Sequence, residues 1–259
     1  MAEVMSDVTA VVLCGGRGSR MGSLTLDLPK PLLPVRGRPI LHYILGMLRQ
    51  RGIGRVVLPI GYKGEEIVRF VEQADFGDDF DVRLVETGEN TSIADRLRGV
   101  RAHLPTSGEM LLTNGDTVFD FPIDEAVATH RAADRKVTLC TVSIRSQFGL
   151  VLAQDGAVIG FERNSPVSHF AVSGRDEQIG LINAGIAVID LADIHAWLDD
   201  RHDERSDNFE ELYYGVRCAA GEAGAYRVPG FWKNFDTAKD IEEADRPDIA
   251  SVLDRLARD

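Results

Sequence analysis

Cysteine is scarce in this 259-residue chain, which has three: Cys14, Cys140 and Cys218. An odd number at that spacing makes neither a disulfide framework nor a CxxC metal knuckle, and it points to a reducing compartment, the cytoplasm. Long apolar runs are missing too. None approaches the ~18 residues that cross a bilayer, and MAEVMSDV has no basic stretch leading into an apolar one, so neither a membrane span nor an export signal is expected. Positive charge is in the minority, with 29 Lys and Arg against 41 Asp and Glu and a net charge of −12. That balance argues against nucleic acid and membrane as partners, so an anionic ligand must be caught by a local basic patch. Repeats, low-complexity tracts and linkers are also absent. With 44% hydrophobic and 27% charged residues there is material for a buried core, and residues 1–259 read as one continuous domain.

What is present is an alternation of β-rich runs and helical patterns. Val8–Cys14 (VTAVVLC) is an apolar strand that ends in glycines. Pro39–Arg49 reads as a helix with proline in its first turn, Val56–Ile60 as the next strand and Glu65–Gln73 as a helix. Val82–Val85 is extended, Ser92–His103 helical, and Met110–Thr113 a strand before Asn114-Gly115-Asp116. Successive β-α units of this kind build a parallel sheet with helices on both faces. From Val137 the texture changes. Val137–Ile144, Leu150–Ala153 and Val158–Glu162 are closely spaced strands, the last two joined by an Asp155-Gly156 turn. Leu181–Ile189 is another strand, Leu191–Leu198 and Asn208–Ala219 are helices, and Ile241–Arg258 is an acidic helical region interrupted at Pro247. The expected fold is α/β: a Rossmann-like, mixed but mostly parallel sheet with a small antiparallel part.

Cys14-Gly15-Gly16-Arg17-Gly18-Ser19-Arg20 stands just past the carboxyl end of the first strand, where a doubly wound sheet binds ligands. It is not a P-loop, because no Gly-Lys-Ser/Thr closes it. Nor is it a dinucleotide fingerprint, since Met21 holds the place of the third glycine and Gly22 comes one residue late. The stretch from Gly15 to Gly37 is longer than an ordinary connection inside a compact domain, so it is either functional or not one loop, and a solvated basic loop is the plain alternative. It and its exit carry Arg17, Arg20, Lys30, Arg36 and Arg38 against Asp27 alone, a charge pattern suited to a polyphosphate.

These residues also carry a family resemblance. LCGGRGSRM, then Thr25, then Pro29-Lys30-Pro31-Leu32-Leu33-Pro34-Val35 resembles the signature of sugar-1-phosphate nucleotidylyltransferases, the pyrophosphorylases that make nucleotide sugars. Similar blocks recur in order along nearly the whole chain. They are Gly61-Tyr62-Lys63-Gly64, Glu86-Thr87-Gly88 followed by Arg96-Leu97, Asn114-Gly115-Asp116, Phe148-Gly149-Leu150, Phe161-Glu162, Leu181-Ile182-Asn183-Ala184-Gly185, and Pro229-Gly230-Phe231-Trp232 leading to Asp236-Thr237. Within the family the pattern is most similar to the glucose-1-phosphate cytidylyltransferases. The resemblance implies conversion of a nucleoside triphosphate and a sugar 1-phosphate to a nucleotide sugar and pyrophosphate. It further implies a nucleotide-binding half over residues 1–135, a sugar-binding half with C-terminal helices over 136–259, and a homo-oligomer.

By the same resemblance, Leu13, Gly15, Gly16, Gly18, Ser19, Arg20, Lys30, Thr87, Asp95, Asn114 and Gly115 bind the nucleotide. Arg20 and Lys30 are the catalytic pair that neutralises the triphosphate and the departing pyrophosphate, in a loop whose backbone rather than side chains joins the core. Asp116 and Asp236 hold Mg²⁺, and Gly149, Glu162, Arg163, Asn183 and Gly185 meet the sugar phosphate. Taken without the resemblance, Asp116 reads as an Asx-turn or helix cap and Asp236 as a cap to the helix after Thr237. Phe231-Trp232 reads equally as core or as a stacking platform. Cys14 reads as a buried small hydrophobe, and His42, His130, His195 and His202 as surface or satisfied core residues.

Two stretches depart from the family. Glu162-Arg163-Asn164 replaces Glu-Lys-Pro, and Ile93-Ala94-Asp95 replaces the Thr-Gly-Gly on which the cytidylyltransferases pack the base. A carboxylate at Asp95 accepts from the amino groups of cytosine or guanine and repels O4 of uracil or thymine, unless it points into solvent from its helix. CTP, then GTP, is therefore expected ahead of UTP and dTTP. Guanylyl transfer to a heptose phosphate stays open, because that subfamily shares the Gly-Leu-Ile-Asn-Ala-Gly block at 180–185. A cyclitol phosphate acceptor and a non-catalytic nucleotide-sugar binder stay open too.

Overall fold

The strands of four or more residues, in chain order, are β1 (Val8–Leu13), β2 (Arg55–Ile60), β3 (Asp81–Glu86), β4 (Glu109–Asn114), β5 (Thr117–Asp120), β6 (Val137–Val142), β7 (Leu150–Gln154), β8 (Ala157–Glu162), β9 (His169–Val172), β10 (Arg175–Asp190), β11 (Ala223–Arg227) and β12 (Phe231–Asn234). The helices are α1 (Ile40–Gln50), α2 (Gly64–Gln73), α3 (Ile93–Val100), α4 (Ile123–Ala132), α5 (Leu191–Asp200), α6 (Gly215–Ala219), α7 (Ala238–Glu242) and α8 (Pro247–Leu256). This is a computed structural model describing residues 5, 7–74, 76–145, 149–163, 165–167, 169–172, 175–200 and 208–257; Phe148, Asn164 and His202 lie outside the described residues.

The central sheet runs β11-β6-β10-β4-β1-β2-β3, and β9 adds to β10. β1 is parallel to β2 and β4, β2 to β3, and β6 to β11, whereas β10 runs antiparallel to both β4 and β6. A strand covered on both faces needs apolar side chains on both, and β1 supplies them. Val8, Ala10 and Val12 enter one core with α1, α2, α4 and α8; Val11 enters the other with α3 and α5. The α1 sequence places Ile40, Leu41, Ile44, Leu45 and Leu48 on its buried face, each worth about 1.5–3 kcal/mol when buried. Pro39 caps that helix in an extended conformation, which its ring favours and which stops the helix reaching further back.

Several expectations are refined. Ser92 is the N-cap of α3, its hydroxyl accepting from the Asp95 amide at 3.1 Å, and the last turn tightens to a 3₁₀ segment over Arg101–His103. Pro247 begins α8 rather than interrupting a helix. Residues 208–219 form a wide π turn over Glu210–Tyr214 before α6. β10 is longer than the expected Leu181–Ile189, and its register on β6 shifts between Asn183 and Ala187. Asp155 and Gly156 both have positive φ, 49° and 80°, as a two-residue turn between antiparallel strands requires. Among the described residues no helix is long and apolar enough to cross a membrane.

Candidate active site

The sheet order reverses between β1 and β4, with β2 and β3 on one side and β10 and β6 on the other. A crevice opens beyond the carboxyl ends of strands at such a switch point. Here it is a cavity of about 470 Å³. The loop after β1 contributes Gly15, Gly16, Gly18, Ser19, Arg20 and Lys30, while Thr91, Ile93 and Arg96 come from the start of α3. Asn114, Gly115 and Asp116 follow β4, and Asn234 and Asp236 come from the end of β12 and the turn beyond it.

Lys30 is at the centre. Its side chain is 9% exposed, and Nζ donates to Asp116 Oδ2 at 2.5 Å and to Asp236 Oδ1 at 2.6 Å. A side chain so enclosed departs from the expectation that only the loop's backbone joins the core. Arg20, by contrast, is 77% exposed and pairs with the other Asp236 oxygen. Burial raises the pKa of Asp236, but hydrogen bonds from Lys30 and Arg20 outweigh it and hold the carboxyl below its ordinary value. The hydrogen bond to Asp236 in turn raises the Arg20 guanidinium.

The two aspartates converge because β5 and β12 pair antiparallel, with Thr117 opposite Asn234. Beyond that pair the Phe235 amide donates to the Asp116 carbonyl at 2.9 Å. Thr237, not Asp236, caps α7, in a capping box with Asp240. The Asp236 carboxylate is thereby left to face Lys30. Two carboxylate oxygens that share one ammonium nitrogen can also share one hard cation. Magnesium needs no more than one or two protein carboxylates when it keeps waters and substrate oxygens. Among the described residues no group of three or more Asp, Glu, His or Cys side chains is placed to hold a metal ion, so the Asp116 and Asp236 pair suits open coordination.

Arg96 enters the site although the motifs did not assign it a role. It is 5% exposed, donates to Thr87 Oγ1 at 3.3 Å and to the Glu89 carbonyl at 3.2 Å, and has no carboxylate partner among the described residues. Burial lowers its pKa. A Cβ on Gly15 would stand 1.4 Å from Arg96 Nη1, so glycine there is what lets the guanidinium lie against the loop. The sequence signal was its place in the Arg96-Leu97 block of the family resemblance, to which no role was attached. Thr87 stands behind Arg96, its hydroxyl donating to the Ile60 carbonyl at 3.0 Å. Cys14 is buried at the cavity wall with its thiol pKa pushed up by burial, and is thus unreactive.

Leu13 also lines the cavity, whereas the remaining assigned residues are not gathered there. Asp95 is exposed; its carboxylate accepts from Ser92 Oγ at 2.8 Å and pairs with Arg98 at 2.7 Å, away from the cavity. Gly149, Glu162 and Arg163 are exposed on and beside the β7–β8 hairpin. Asn183 donates to Glu210 at 3.1 Å and accepts from the Gly185 amide at 3.0 Å, and Gly185 packs against Asn114. His130 is buried against Thr138 Oγ1 at 2.9 Å, and His195 lies between Arg101 and the Pro105 carbonyl, so neither is a ligand in waiting. Trp232 packs against the core and its indole N–H donates to the Ala184 carbonyl at 2.8 Å.

The nucleotidyl transferase family profile matches residues 9–175, from β1 to the start of β10. The chain belongs to that family. As a nucleotidyl transferase it is 28% identical over 251 residues to the glucose-1-phosphate cytidylyltransferase of Salmonella typhi, covering 89% of this chain and 92% of that one. It is 29% identical over 168 residues to the D-glycero-alpha-D-manno-heptose 1-phosphate guanylyltransferase of Aneurinibacillus thermoaerophilus, covering 64% and 71%. Among solved structures, HddC from Yersinia pseudotuberculosis shares the fold with a TM-score of 0.66 at 19% identity, covering 91% of this chain and 97% of that one. The family read from the glycine loop and the later blocks is the one these comparisons return.

Proposed function

We propose that the protein transfers a nucleotidyl group from a nucleoside triphosphate to a sugar 1-phosphate and releases pyrophosphate, in a magnesium-dependent reaction. The observation that carries this reading is the convergence of Lys30, Arg20, Asp116 and Asp236 at one end of the crevice. A phosphate oxygen of the acceptor attacks the α-phosphorus, the bond from that phosphorus to the bridging oxygen breaks, and pyrophosphate leaves with the electron pair. The nucleophile is already anionic, so no general base is needed and the work is positioning and charge neutralisation. Loop amides around Gly15–Ser19 can approach phosphate oxygens. Arg20 and Lys30 offset the charge gathering on the departing pyrophosphate. Bound to Asp116 and Asp236, magnesium supplies a Lewis acid for the phosphate oxygens. Arg96, a buried guanidinium with no ion pair among the described residues, serves the nucleotide from the α3 side.

For the base, CTP is the first choice and GTP the second, with a hexose 1-phosphate as acceptor. The similarity to a cytidylyltransferase over most of both chains supports the first; that to a heptose 1-phosphate guanylyltransferase supports the second. A matrix of the four triphosphates against sugar 1-phosphates, read by pyrophosphate release with and without Mg²⁺, tests both. Silence across the whole matrix would leave a nucleotide-sugar binder and overturn the enzymatic reading.

A further inference from the structure

Four carboxylate oxygens meet at the paired acids, and each has its own donor. Asp116 Oδ2 and Asp236 Oδ1 share the Lys30 ammonium at 2.5 and 2.6 Å, and Asp236 Oδ2 takes the exposed Arg20 guanidinium. The fourth, Asp116 Oδ1, accepts from the hydroxyl of Thr117 at 3.2 Å. These donors differ in kind. Lys30 and Arg20 are long side chains that the nucleotidyl-transfer reading also places on the phosphates, so neither can be the fixed partner of an acid. Thr117 is short and stiff at its first side-chain torsion, 1% exposed, and set in β5 by the antiparallel pairing that puts it opposite Asn234. Its hydroxyl cannot follow a ligand.

The residue type points the same way. Thr117, Val118 and Phe119 are all buried, and at a buried strand position valine has nearly the shape of threonine without a polar group to desolvate. A hydroxyl there is unfavourable unless it is bonded, and the bond it makes is to the acid assigned to magnesium. Carboxylates that ligate a metal are themselves hydrogen-bonded, which fixes their orientation. With Oδ1 held by Thr117, Oδ2 is the oxygen turned to Lys30.

We propose that Thr117 is a positioning residue for Asp116, its hydroxyl fixing the rotation of the carboxylate so that Oδ2 is presented to the divalent cation. This rests on the magnesium-dependent reading above. The test compares the parent with T117V, which keeps the shape and removes the hydroxyl, and T117S, which keeps the hydroxyl and removes the methyl. Three measurements are made: thermal melting without metal, Mn²⁺ affinity by electron paramagnetic resonance with a non-hydrolysable triphosphate present, and the Mg²⁺ dependence of pyrophosphate release. If Thr117 served only to pack β5, T117S would be the worse variant in every measurement, because it leaves a methyl-sized gap. The expected result is a crossed pattern. T117V should melt within about 2 °C of the parent yet bind Mn²⁺ about tenfold more weakly, and it should need correspondingly more Mg²⁺ for half-maximal turnover. T117S should melt about 2–4 °C lower and keep the metal affinity of the parent. Parent-like Mn²⁺ affinity in T117V, an equal loss of affinity in both variants, or a loss in T117V that comes only with several degrees of melting would overturn the inference and leave Thr117 a packing residue. If the parent takes up no Mn²⁺ beyond what the triphosphate binds alone, the magnesium reading and this inference fall together; if the parent binds it and only the variant comparison fails, the inference falls alone.

Discussion

Replacing Lys30 by methionine removes the one buried cation between Asp116 and Asp236 while keeping a side chain of similar length. Breaking a fully buried ion pair costs about 3–5 kcal/mol. Here the two carboxylates keep 20% and 25% exposure and Asp236 keeps Arg20, so a loss of about 2 kcal/mol is the reasonable scale. In a chain of this size each kcal/mol moves the melting temperature by about 2–4 °C, giving a fall of roughly 4–8 °C. Calorimetric melting in excess chelator measures it. Mg²⁺ should then restore more stability to K30M than it adds to the parent, because it relieves two carboxylates left facing each other. Turnover, followed by pyrophosphate release, should fall by ~10²-fold or more and stay low in Mg²⁺, since the charge on the leaving group loses its partner. The exposed Arg20 is the control: R20A should lose turnover at an unchanged melting temperature. Parent-like melting of K30M in chelator would refute the bridging role, and a kcat within tenfold of the parent would remove Lys30 from the transition state.

D116N and D236N should each reduce kcat by at least ~10²-fold, about 2.7 kcal/mol of transition-state stabilisation, and full turnover of the parent in excess chelator would end the metal assignment. D95A should leave the ranking of the four triphosphates unchanged and instead lower stability by about 0.5–1 kcal/mol through the α3 cap, measured by urea titration. R96Q should weaken binding of a non-hydrolysable triphosphate, and an unchanged calorimetric Kd would contradict its place at the nucleotide. Burial lowers the pKa of His130, so the native protein binds fewer protons there than the unfolded chain; that contribution is present above the ordinary pKa near 6.5 and is lost as pH falls through it. Between pH 7 and pH 5 the parent should therefore lose more stability than H130Q, and equal slopes would show that His130 is not the group responsible.

How much of this was legible follows the range of the forces involved. β1, β2, β4 and α1 were clear because each is a sustained apolar pattern that must be buried. The Asp155-Gly156 turn was clear because few residue pairs accept two left-handed conformations. β5, β11 and β12 were not read at all: they are short, and only pairing with a distant partner makes them strands. At Asp95 local chemistry and the fold point to different partners. Its charge suggested a reader of the base, yet three residues after Ser92 it completes a cap, and the same turn aims Ile93 and Arg96 into the cavity instead. Arg96 stood in a family block, but its place in the site depends on burial, which only the fold supplies.

The pairing of the two aspartates shows why glycine blocks in such a sequence need not touch ligand. A Cβ on Gly230 would lie 2.1 Å from the Asp120 carbonyl oxygen, so only glycine lets the chain approach the end of β5 and start β12 in register. From there the register runs Phe231 to Asp120, Trp232 to Phe119, Lys233 to Val118 and Asn234 to Thr117, and it delivers Phe235 to the Asp116 carbonyl. Phe235 is fully buried and anchors the turn, which leaves Asp236 turned toward Lys30. A slip of one residue would exchange the two faces of β12, carrying Trp232 out of the core and Asn234 away from the cavity. Gly230 is therefore tied to the active site through backbone geometry alone: it sets the register, the register sets the distance between the acids, and that distance is what lets Lys30, or a divalent cation, bind both.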